Sequence, residues 1–320
     1  PTHYVITNLY RDQLTRNGHP EWVFDILRES ISPKTKLILN ADDPLVSCFG
    51  IGREEEVIWF GVDKLPQDTQ ECLSLYNDGA FCPHCKARMQ YDYYHFNHIG
   101  SYHCENCGHH KHDTQFTVTE ADLEKGYVVV NGKDKISLAL RSMYNVYNVL
   151  AAYTVASLLG IPEEEIAKDI SNYILKNGRV VTFRLGTHTG TLLASKHENS
   201  ISYDQSIQLA VNSPKPCTVL IIVDAISRKY FTSEVSWLWD IDFEKLADNK
   251  IARIVLAGRY CNDLAVRFSY TDIPQERIQV MEEIEGAVEY LDREAQGAIF
   301  VITCFSDKEK FLSKVEVTMQ

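Results

Sequence analysis

The chain lacks any run of about eighteen apolar residues, the length that a membrane span needs, and it has no signal-peptide pattern at its start. It also lacks an excess of basic residues, because 32 lysines and arginines stand against 44 acids and give a formal net charge of −12. Nucleic-acid binding depends on clustered positive charge, so this balance disfavours that class of function. The sequence therefore predicts an ordinary globular protein of the cytoplasm.

Two further absences concern disulfides and phosphate binding. Five cysteines are scattered without a pairing pattern, which fits a reducing compartment: Cys48, Cys72, Cys217, Cys261 and Cys304. No GxxxxGK[ST] loop occurs anywhere in the sequence. The chain begins at Pro1, directly before the apolar run at 4–7, and this start predicts a fragment of a longer protein.

Two CxxC motifs, Cys82 to Cys85 and Cys104 to Cys107, are the most informative feature that is present. Their separation matches four-thiolate zinc sites, in which two knuckles converge on one Zn²⁺. Four sulfur ligands leave no position for water, so the motifs predict a structural zinc without metal chemistry. Seven histidines lie in or beside this segment, and we expect them to be solvated or hydrogen-bonded to the thiolates: His84, His95, His98, His103, His109, His110 and His112.

Short apolar runs on both sides of the cysteine segment predict strands of a mainly parallel sheet. They lie at 3–7, 36–39 and 56–60, with a helical pattern near 20–30, and again at 114–118, 127–130 and 135–140. Asn131-Gly132 predicts a hairpin turn between the last two strands. Helical spacing follows at 145–159, where Gly160 predicts the end of the helix, and Pro162 opens another helix.

The alternation begins again beyond a predicted hinge at Asn177-Gly178, which indicates a second α/β domain of Rossmann type. Its predicted strands are 182–193, 219–223, 253–257 and 299–302, and its predicted helices are 203–211, 242–248, 262–268 and 283–293. We therefore expect one domain at 1–178, with a zinc ribbon inserted at 80–113, and a second at 179–320.

Three polar segments are candidates for binding. Residues 7–14 follow the first predicted strand and residues 40–44 follow the second, and open α/β sheets bind ligands at these carboxyl ends. Their short polar side chains either hold a ligand or cap a turn, and the local pattern leaves both open. Asn145 and Asn148 lie one helical turn apart, where their amides either contact an adenine edge or serve as caps.

Together and in this order, these segments resemble the Mur ligases. The matching stretches cover nearly the whole chain: TNLYRDQLTRNG (7–18), LNADDP (39–44), the two knuckles with the intervening 91–93, YNVYNVLAA (144–152), 178–179 and VSWLWDIDFE (235–244). A four-cysteine ribbon is typical of the member that amidates lipid II. The resemblance implies an α/β fold, with a Mur-ligase-type central ATPase domain that is truncated at its N-terminus and carries the ribbon, followed by a Rossmann-like C-terminal domain.

The resemblance also implies a function. It indicates an ATP-dependent carbon–nitrogen ligase of peptidoglycan synthesis, which converts the α-carboxylate of D-Glu in lipid II to D-isoglutamine. ATP, Mg²⁺ and a GatD-like class I glutaminase subunit that supplies ammonia and contacts the C-terminal domain are implied with it. Asn8, Asn145, Asn148 and Arg179 would contact the nucleotide. The family's P-loop lies upstream of residue 7, so the chain as it stands is expected to bind ATP poorly.

The sequence departs from the family in the loop that is expected to supply the acid of the partner's Cys-His-Asp triad. The stretch at 223–234 is longer than the family's loop and lacks its Asp. Asp224 is the first candidate, Glu234 and Asp240 are alternatives, and a turn-capping role for Asp224 is equally compatible with the pattern. Two other functions also stay open: a Mur-like ligase with another amine donor or acceptor and no glutaminase, and a non-catalytic zinc-ribbon binding module.

Overall fold

The computed structural model describes residues 1–11, 19–53, 56–173, 179–196, 199–213, 215–225 and 235–318. These residues form two compact units, the first ending at Tyr173 and the second beginning at Arg179. The predicted hinge at Asn177-Gly178 lies outside the described ranges, and so do residues 12–18, which include the end of the first candidate segment. Each unit is built around a mixed β-sheet of its own.

The first unit contains eight described strands and four described α-helices. The strands are β1 (His3–Ile6), β2 (Lys36–Asn40), β3 (Val57–Val62), β4 (Gln90–Phe96), β5 (Ile99–His103), β6 (Phe116–Asp122), β7 (Tyr127–Val130) and β8 (Asp134–Ser137). The helices are α1 (Pro20–Ser30), α2 (Pro44–Ser47), α3 (Met143–Leu158) and α4 (Glu163–Ser171). Their order confirms the predicted alternation of strands and helices.

The main sheet of this unit has the order β1-β2-β3-β6-β7-β8. The pairs from β1 to β6 are parallel, and β6 pairs antiparallel with β7, as does β7 with β8. The predicted turn between β7 and β8 is confirmed, because Asn131 and Gly132 both have the positive φ angles that a type I′ turn requires. The carboxyl ends of β1, β2 and β3 therefore lie at one edge of the sheet.

Helix α3 packs across the sheet and buries one apolar side against it. Val146 and Leu150 are fully buried there with Phe60 and Val118 of the strands. The Ser142 hydroxyl caps the helix by accepting a hydrogen bond from the Asn145 N–H. Ser142 thus fixes where the helix begins, and with it the positions of the two candidate asparagines.

The second unit contains a seven-stranded sheet. Its strands are β9 (Val180–Leu185), β10 (His188–Ser195), β11 (Cys217–Ile222), β12 (Ile251–Ala257), β13 (Ile278–Met281), β14 (Ala298–Cys304) and β15 (Glu316–Val317). Its described helices are α5 (Ser200–Val211), α6 (Cys261–Phe268), α7 (Ile284–Glu294) and α8 (Phe305–Leu312). The strand order is β13-β12-β11-β14-β10-β9-β15. In that order, the five neighbouring strands from β13 to β10 pair in parallel.

The chain runs from β11 outward to β13 and then returns to place β14 on the other side of β11. This reversal is a topological switch point, where the carboxyl ends of β11 and β14 diverge and open α/β sheets bind their ligands. Two predictions for this unit are wrong in detail. The predicted strand 182–193 is an antiparallel hairpin that turns at Gly186, and the predicted helix 242–248 is the short 3₁₀ segment Phe243–Ala247.

None of the helices in the described part of the chain combines the length and apolarity needed to cross a membrane.

Candidate functional site

The loops that follow β1 and β2 are joined at the edge of the first sheet. The Asn40 amide donates to the carbonyl of Thr7 at 2.9 Å, and its side-chain oxygen accepts from the N–H of Asp42 at 3.0 Å. The Leu9 N–H donates to the Asp43 carboxylate at 3.0 Å. The structure therefore brings the two candidate segments together, as expected for the ends of neighbouring parallel strands.

Asp43 is the N-cap of helix α2. Its Oδ1 accepts from the N–H groups of Leu45 (2.9 Å) and Val46 (3.0 Å), while its Oδ2 accepts from Leu9. The carboxylate is fully buried. Of the two alternatives that the sequence left open for this residue, capping is the one observed.

Asp42 lies at the centre of a buried polar network. Its Oδ2 accepts hydrogen bonds from the Tyr147 hydroxyl at 2.6 Å and from the Val62 N–H at 2.7 Å, and Lys111 Nζ lies 2.7 Å from its Oδ1. Burial alone would lower the pKa of Lys111, but the Asp42 carboxylate raises it above the ordinary value. A charged pair is therefore held inside the unit, and two neutral donors bind the other carboxylate oxygen, Oδ2.

Two glycines allow this close packing around Asp42. A Cβ on Gly61 of β3 would lie 2.7 Å from Asp42 Oδ1. The N–H of Gly100 on β5 donates to the carbonyl of Asp42 at 3.0 Å, and a Cβ there would lie 2.2 Å from the Tyr93 carbonyl. Larger residues at either position would displace the carboxylate or the strand.

Several histidines of the cysteine segment contact the sheet edge instead of the thiols, so the expectation for them was wrong. His95 is buried, with Nδ1 2.7 Å from Asp68 Oδ1 and Nε2 3.9 Å from Asp42 Oδ2. His98 Nε2 lies 3.7 Å from Asp43 Oδ2, and His109 donates to the Pro44 carbonyl at 2.9 Å. The reason is that the β4–β5 hairpin and the chain after it pack against this edge, which turns the three histidines toward buried acceptors.

The predicted knuckles converge at the far end of the same hairpin. Cys82 and Cys107 have sulfurs 3.6 Å apart, Cys85 and Cys104 have sulfurs 3.5 Å apart, and all four lie within 4.8 Å of one another. Tetrahedral zinc with bonds of about 2.3 Å places its sulfurs about 3.8 Å apart, so the four thiols fit Zn²⁺. They are the one group of three or more potential metal ligands found among the described residues.

The local backbone explains why the thiols point inward. Each knuckle closes with an N–H donated back to its first cysteine, from Lys86 to the Cys82 carbonyl and from Gly108 to the Cys104 carbonyl. Both donors have positive φ angles. Burial raises the pKa of Cys82 to about 12, whereas hydrogen bonds from Asn106 and from the N–H of Ala87 lower that of Cys85 to about 6. Metal binding would therefore release protons from part of the set.

The residues predicted to contact the nucleotide differ in exposure and in whether their side chains already bind other groups of the protein. Asn145 uses its amide to donate to the Leu140 carbonyl at 3.0 Å, whereas Asn148 is exposed on the next turn of α3. Asn8 is half-buried and donates to the Thr7 hydroxyl at 3.2 Å. Arg179 is exposed in the second unit, where its guanidinium lies 5.2 Å from the Phe305 ring centre. Their roles toward a nucleotide remain predictions.

An aromatic cluster links the loop after β1 to the start of α3. The Tyr10 ring lies 5.1 Å from that of His98 and 6.4 Å from that of Tyr144, which directly precedes Asn145. Burial, followed by the charge of Asp43, raises the pKa of Tyr10 well above its ordinary value, so the hydroxyl is neutral. The segments at 7–11, 40–44 and 144–148 thus meet at one edge of the sheet.

In the second unit, Asp224 lies at the switch point, just after β11. Its Oδ1 accepts from the Arg259 N–H at 2.9 Å, and its Oδ2 is hydrogen-bonded to the Lys310 ammonium. Burial raises the pKa of Asp224, but the contacts with Lys310 and Arg259 outweigh it and lower the pKa. About a quarter of its side chain stays exposed, at 23%.

Asp307, which the sequence did not suggest, fixes the position of Asp224. It is fully buried in α8, and its Oδ2 accepts from the N–H groups of Asp224 (2.9 Å) and Ala225 (3.0 Å). Its Oδ1 lies 2.8 Å from Lys310 Nζ. The sequence signal that could have indicated Asp307 is an acidic residue in the first turn of a helix that directly follows a strand. Of the alternatives to Asp224, Asp240 ends the 3₁₀ segment Ser236–Asp240, and Glu234 lies outside the described residues.

Comparison with known proteins extends these observations. A sequence profile for the MurT ligase C-terminal family matches residues 197–307. The MurT subunit of lipid II isoglutaminyl synthase (glutamine-hydrolyzing) from Staphylococcus aureus (strain COL) is 29% identical over 85% of this chain and 61% of its own length. The namesake from Streptococcus pneumoniae (strain ATCC BAA-255 / R6) is 27% identical over 97% of this chain and 69% of its own. The chain thus spans 61% of the length of the first of these relatives.

Solved structures show the same fold. A pseudomurein peptide ligase type C from Methanothermus fervidus aligns with 98% of this chain and 62% of its own, with a TM-score of 0.74 at 20% identity. MurF from Acinetobacter baumannii aligns with 98% of this chain and 59% of its own, with a TM-score of 0.62 at 13% identity. The Mur-ligase-like α/β fold predicted from the sequence is therefore confirmed, and so is the resemblance on which it rested.

Proposed function

We propose, from the similarity of both units to MurT subunits, that this chain is part of the ligase subunit that amidates the α-carboxylate of D-Glu in lipid II to give D-isoglutamine. The observation that carries the proposal is the sequence match to those subunits, which runs through the Mur-like first unit, its cysteine ribbon and the second unit. A fold alone supports many reactions, so this match and not the likeness to solved ligases selects the acceptor.

The chemistry divides between a cosubstrate and the protein. ATP would supply the phosphoryl group that turns the carboxylate into an acyl phosphate, which ammonia then attacks with loss of phosphate. The protein holds the edge of the first sheet rigid through Asp42 and Asp43, which keep the loops after β1 and β2 in one arrangement. Asn148, exposed on α3, has a free face for an adenine edge, and we assign it the first contact.

The residues for Mg²⁺ need a separate test. Mg²⁺ prefers carboxylates that keep oxygen positions open to water and phosphate. Asp42 and Asp43 do not fit this description, because both are buried. Both oxygens of Asp43 and Oδ2 of Asp42 accept hydrogen bonds from the protein, and the ammonium of Lys111 lies against Oδ1 of Asp42. We therefore assign no Mg²⁺ ligand among the described residues and derive no step through the ion.

The nitrogen source in this proposal is a class I glutaminase subunit of the GatD type, bound by the second unit. Asp224 is our first choice for the acid that orients the partner's histidine, because it ends the central strand with part of its carboxylate exposed and ionised. Its contacts with Lys310 and Arg259 support the alternative of a purely structural acid equally well. Activity measurements must separate the two.

The test combines the full-length form of the chain and its candidate glutaminase with lipid II, ATP, Mg²⁺ and glutamine. Mass spectrometry should detect conversion of one carboxylate to a carboxamide, a decrease of about 1 Da, which is the mass difference between the two groups. Asp224→Asn should abolish conversion with glutamine but leave conversion with free ammonium salts, because ammonium does not need the glutaminase.

Other outcomes would favour the other functions. Conversion with glutamine that survives Asp224→Asn removes this residue from the triad. Turnover with an amino acid, without any glutaminase, supports a Mur-like ligase with another amine. Absence of conversion with every nitrogen donor contradicts the proposal and leaves a zinc-ribbon binding module.

A further inference from the structure

The zinc ribbon, residues 80–113, contributes three contacts to a single buried acid of the sheet edge. Lys111 Nζ lies 2.7 Å from Asp42 Oδ1, the Gly100 N–H donates to the Asp42 carbonyl at 3.0 Å, and His95 Nε2 lies 3.9 Å from Oδ2. All three residues come from the hairpin or from the chain just after the second knuckle. The ribbon is therefore part of the wall around Asp42.

Asp42 is in turn hydrogen-bonded to helix α3. The Tyr147 hydroxyl donates to Asp42 Oδ2 at 2.6 Å, and Tyr147 lies between Asn145 and Asn148 in sequence. A second path runs from His98 in the ribbon through the Tyr10 ring to Tyr144. Both paths end in the first two turns of the helix that carries the proposed adenine contacts.

The turn end of the ribbon packs on the main sheet, where Ile99 is fully buried, whereas the end that carries the thiols has only a small apolar cluster of its own. That cluster consists of Cys82, Met89, Tyr102 and Cys104. A two-stranded hairpin gains little stability from its own pairing, so the thiol end, which is far from the turn, depends most on the four sulfurs. Lys111 depends on this hairpin, because its N–H donates to the Tyr102 carbonyl at 3.0 Å and the second knuckle precedes it directly. A metal that joins the four sulfurs would therefore fix the lysine.

We infer that metal loading of the cysteines and nucleotide binding at α3 are energetically coupled, with Lys111 as the positioning residue that joins them. The inference rests on the proposed nucleotide site. It predicts reciprocity, because two linked equilibria must affect each other by the same factor. Zinc should strengthen ATP binding, and ATP should slow the loss of zinc.

The chain offers a matched pair of lysines for the test. Lys111 and Lys64 lie on the same aromatic ring, 5.7 and 5.8 Å from the centre of Tyr93, but Lys111 forms an ion pair with Asp42 whereas Lys64 is exposed. Lys111→Met and Lys64→Met make the same chemical change and leave the thiols intact. Lys111→Arg keeps the charge and should restore part of the effect.

The measurement is the Kd of the full-length, zinc-loaded chain for ATP with Mg²⁺, by calorimetry. Lys111→Met should weaken binding on the order of tenfold, within the roughly 5- to 150-fold range of coupled sites, and Lys64→Met should leave it unchanged. Removal of zinc by a competing chelator should be slower with saturating ATP in the wild type but not in Lys111→Met. Equal Kd values for the two methionine variants would overturn the inference.

Two further measurements test the inference if the first experiment cannot be carried out. If Lys111→Met fails to fold, Tyr147→Phe removes only the hydroxyl that α3 donates to Asp42, and it should give the same loss of coupling. If the wild-type full-length protein binds no ATP, the proposed function fails, and hydrogen exchange then decides the coupling. Chelation of zinc should speed amide exchange at 143–148, and unchanged exchange there would refute the link.

Discussion

The Asp42 carboxylate and the Lys111 ammonium lie 2.7 Å apart, with both CxxC motifs between them in sequence. Asp42 is fully buried, and only 16% of the Lys111 side chain is exposed. The pair joins an inserted hairpin to the sheet edge where the loops after β1 and β2 meet. An insertion that could have been an appendage is thus integrated into the candidate site.

Asp42→Asn should destabilise the protein strongly. The change removes the charge that compensates Lys111 and leaves an ammonium largely buried, at a cost of about 3 kcal/mol in the free energy of unfolding. Urea denaturation followed by fluorescence would measure it. Asp92→Asn is the control, because Asp92 lies in the same ribbon with 57% of its side chain exposed, and a change within about 0.5 kcal/mol is expected. Equal effects of the two substitutions would contradict the account.

Cys104→Ser should abolish stoichiometric zinc binding. Three thiols and a hydroxyl do not make the closed tetrahedral set, so the metal content should fall from about one zinc per chain to near zero, with a lower melting temperature. Inductively coupled plasma mass spectrometry of the purified protein measures the metal. Cys72→Ser, a cysteine outside the cluster, should retain full zinc content.

Gly61→Ala tests the space beside Asp42. The new Cβ would lie 2.7 Å from Asp42 Oδ1 and 3.0 Å from a methyl of Thr114, so the carboxylate must shift at a cost of about 1–3 kcal/mol. Gly286→Ala is the control, and it should change the stability of the protein in the opposite direction. Outside the helix's own backbone, no atom lies within 4 Å of a Cβ there, in the first turn of helix α7, and alanine should stabilise the helix by up to about 0.5 kcal/mol. Thermal unfolding of both variants would be compared with the wild type.

The contribution of Asp224 to stability should depend on pH. Because its pKa is lower in the folded protein, the stabilisation is complete above the unfolded value of about 3.9 and is lost as the pH falls through the folded pKa. The difference in free energy of unfolding between wild type and Asp224→Asn should therefore be constant from about pH 5 to 7 and shrink at lower pH. A difference that grows on acidification would refute the ion pair with Lys310.

Substitution of the two candidate asparagines of α3 should have different effects, one on the stability of the protein and the other on its affinity for ATP. Asn145→Ala loses the hydrogen bond to the Leu140 carbonyl and should cost about 1 kcal/mol of stability. Asn148→Ala should leave stability within about 0.5 kcal/mol but weaken ATP binding roughly fivefold to tenfold, the equivalent of one lost hydrogen bond. Unaltered ATP affinity in Asn148→Ala would remove it from the proposed site.

The sequence predicts those parts of the molecule that depend on local spacing. The CxxC motifs anticipate the thiol cluster, and the ends of two parallel strands anticipate that Asn40 and Asp43 meet the segment after β1. The Asp42–Lys111 pair has no local pattern, because it joins distant residues and depends on how the hairpin packs. The histidines were misjudged for the same reason, since burial of His95 and His109 follows from tertiary contacts.

The turn at Gly186 shows a different limit of sequence reasoning. β-Branched or aromatic residues occur on both sides of the turn, among them Thr182, Phe183 and Thr187, so the pattern of a strand continues through it. Gly186 marks the turn, but Gly190, which lies within β10, is a second glycine in the same stretch. The positive φ angle of 54° at Gly186 permits the reversal between β9 and β10. A single turn residue within a long strand pattern was not enough to divide the strand in two.

Strand β15 gives the second sheet a protected border. It pairs antiparallel with β9 through only two residues, Glu316 and Val317, both exposed. A short border strand with an acidic side chain offers few free backbone groups to a strand of another molecule. Removal of these residues would uncover β9, whose Val181 and Phe183 have the composition of aggregation-prone segments. The two-residue strand therefore covers this edge of the second sheet and disfavours its pairing with a strand of another molecule.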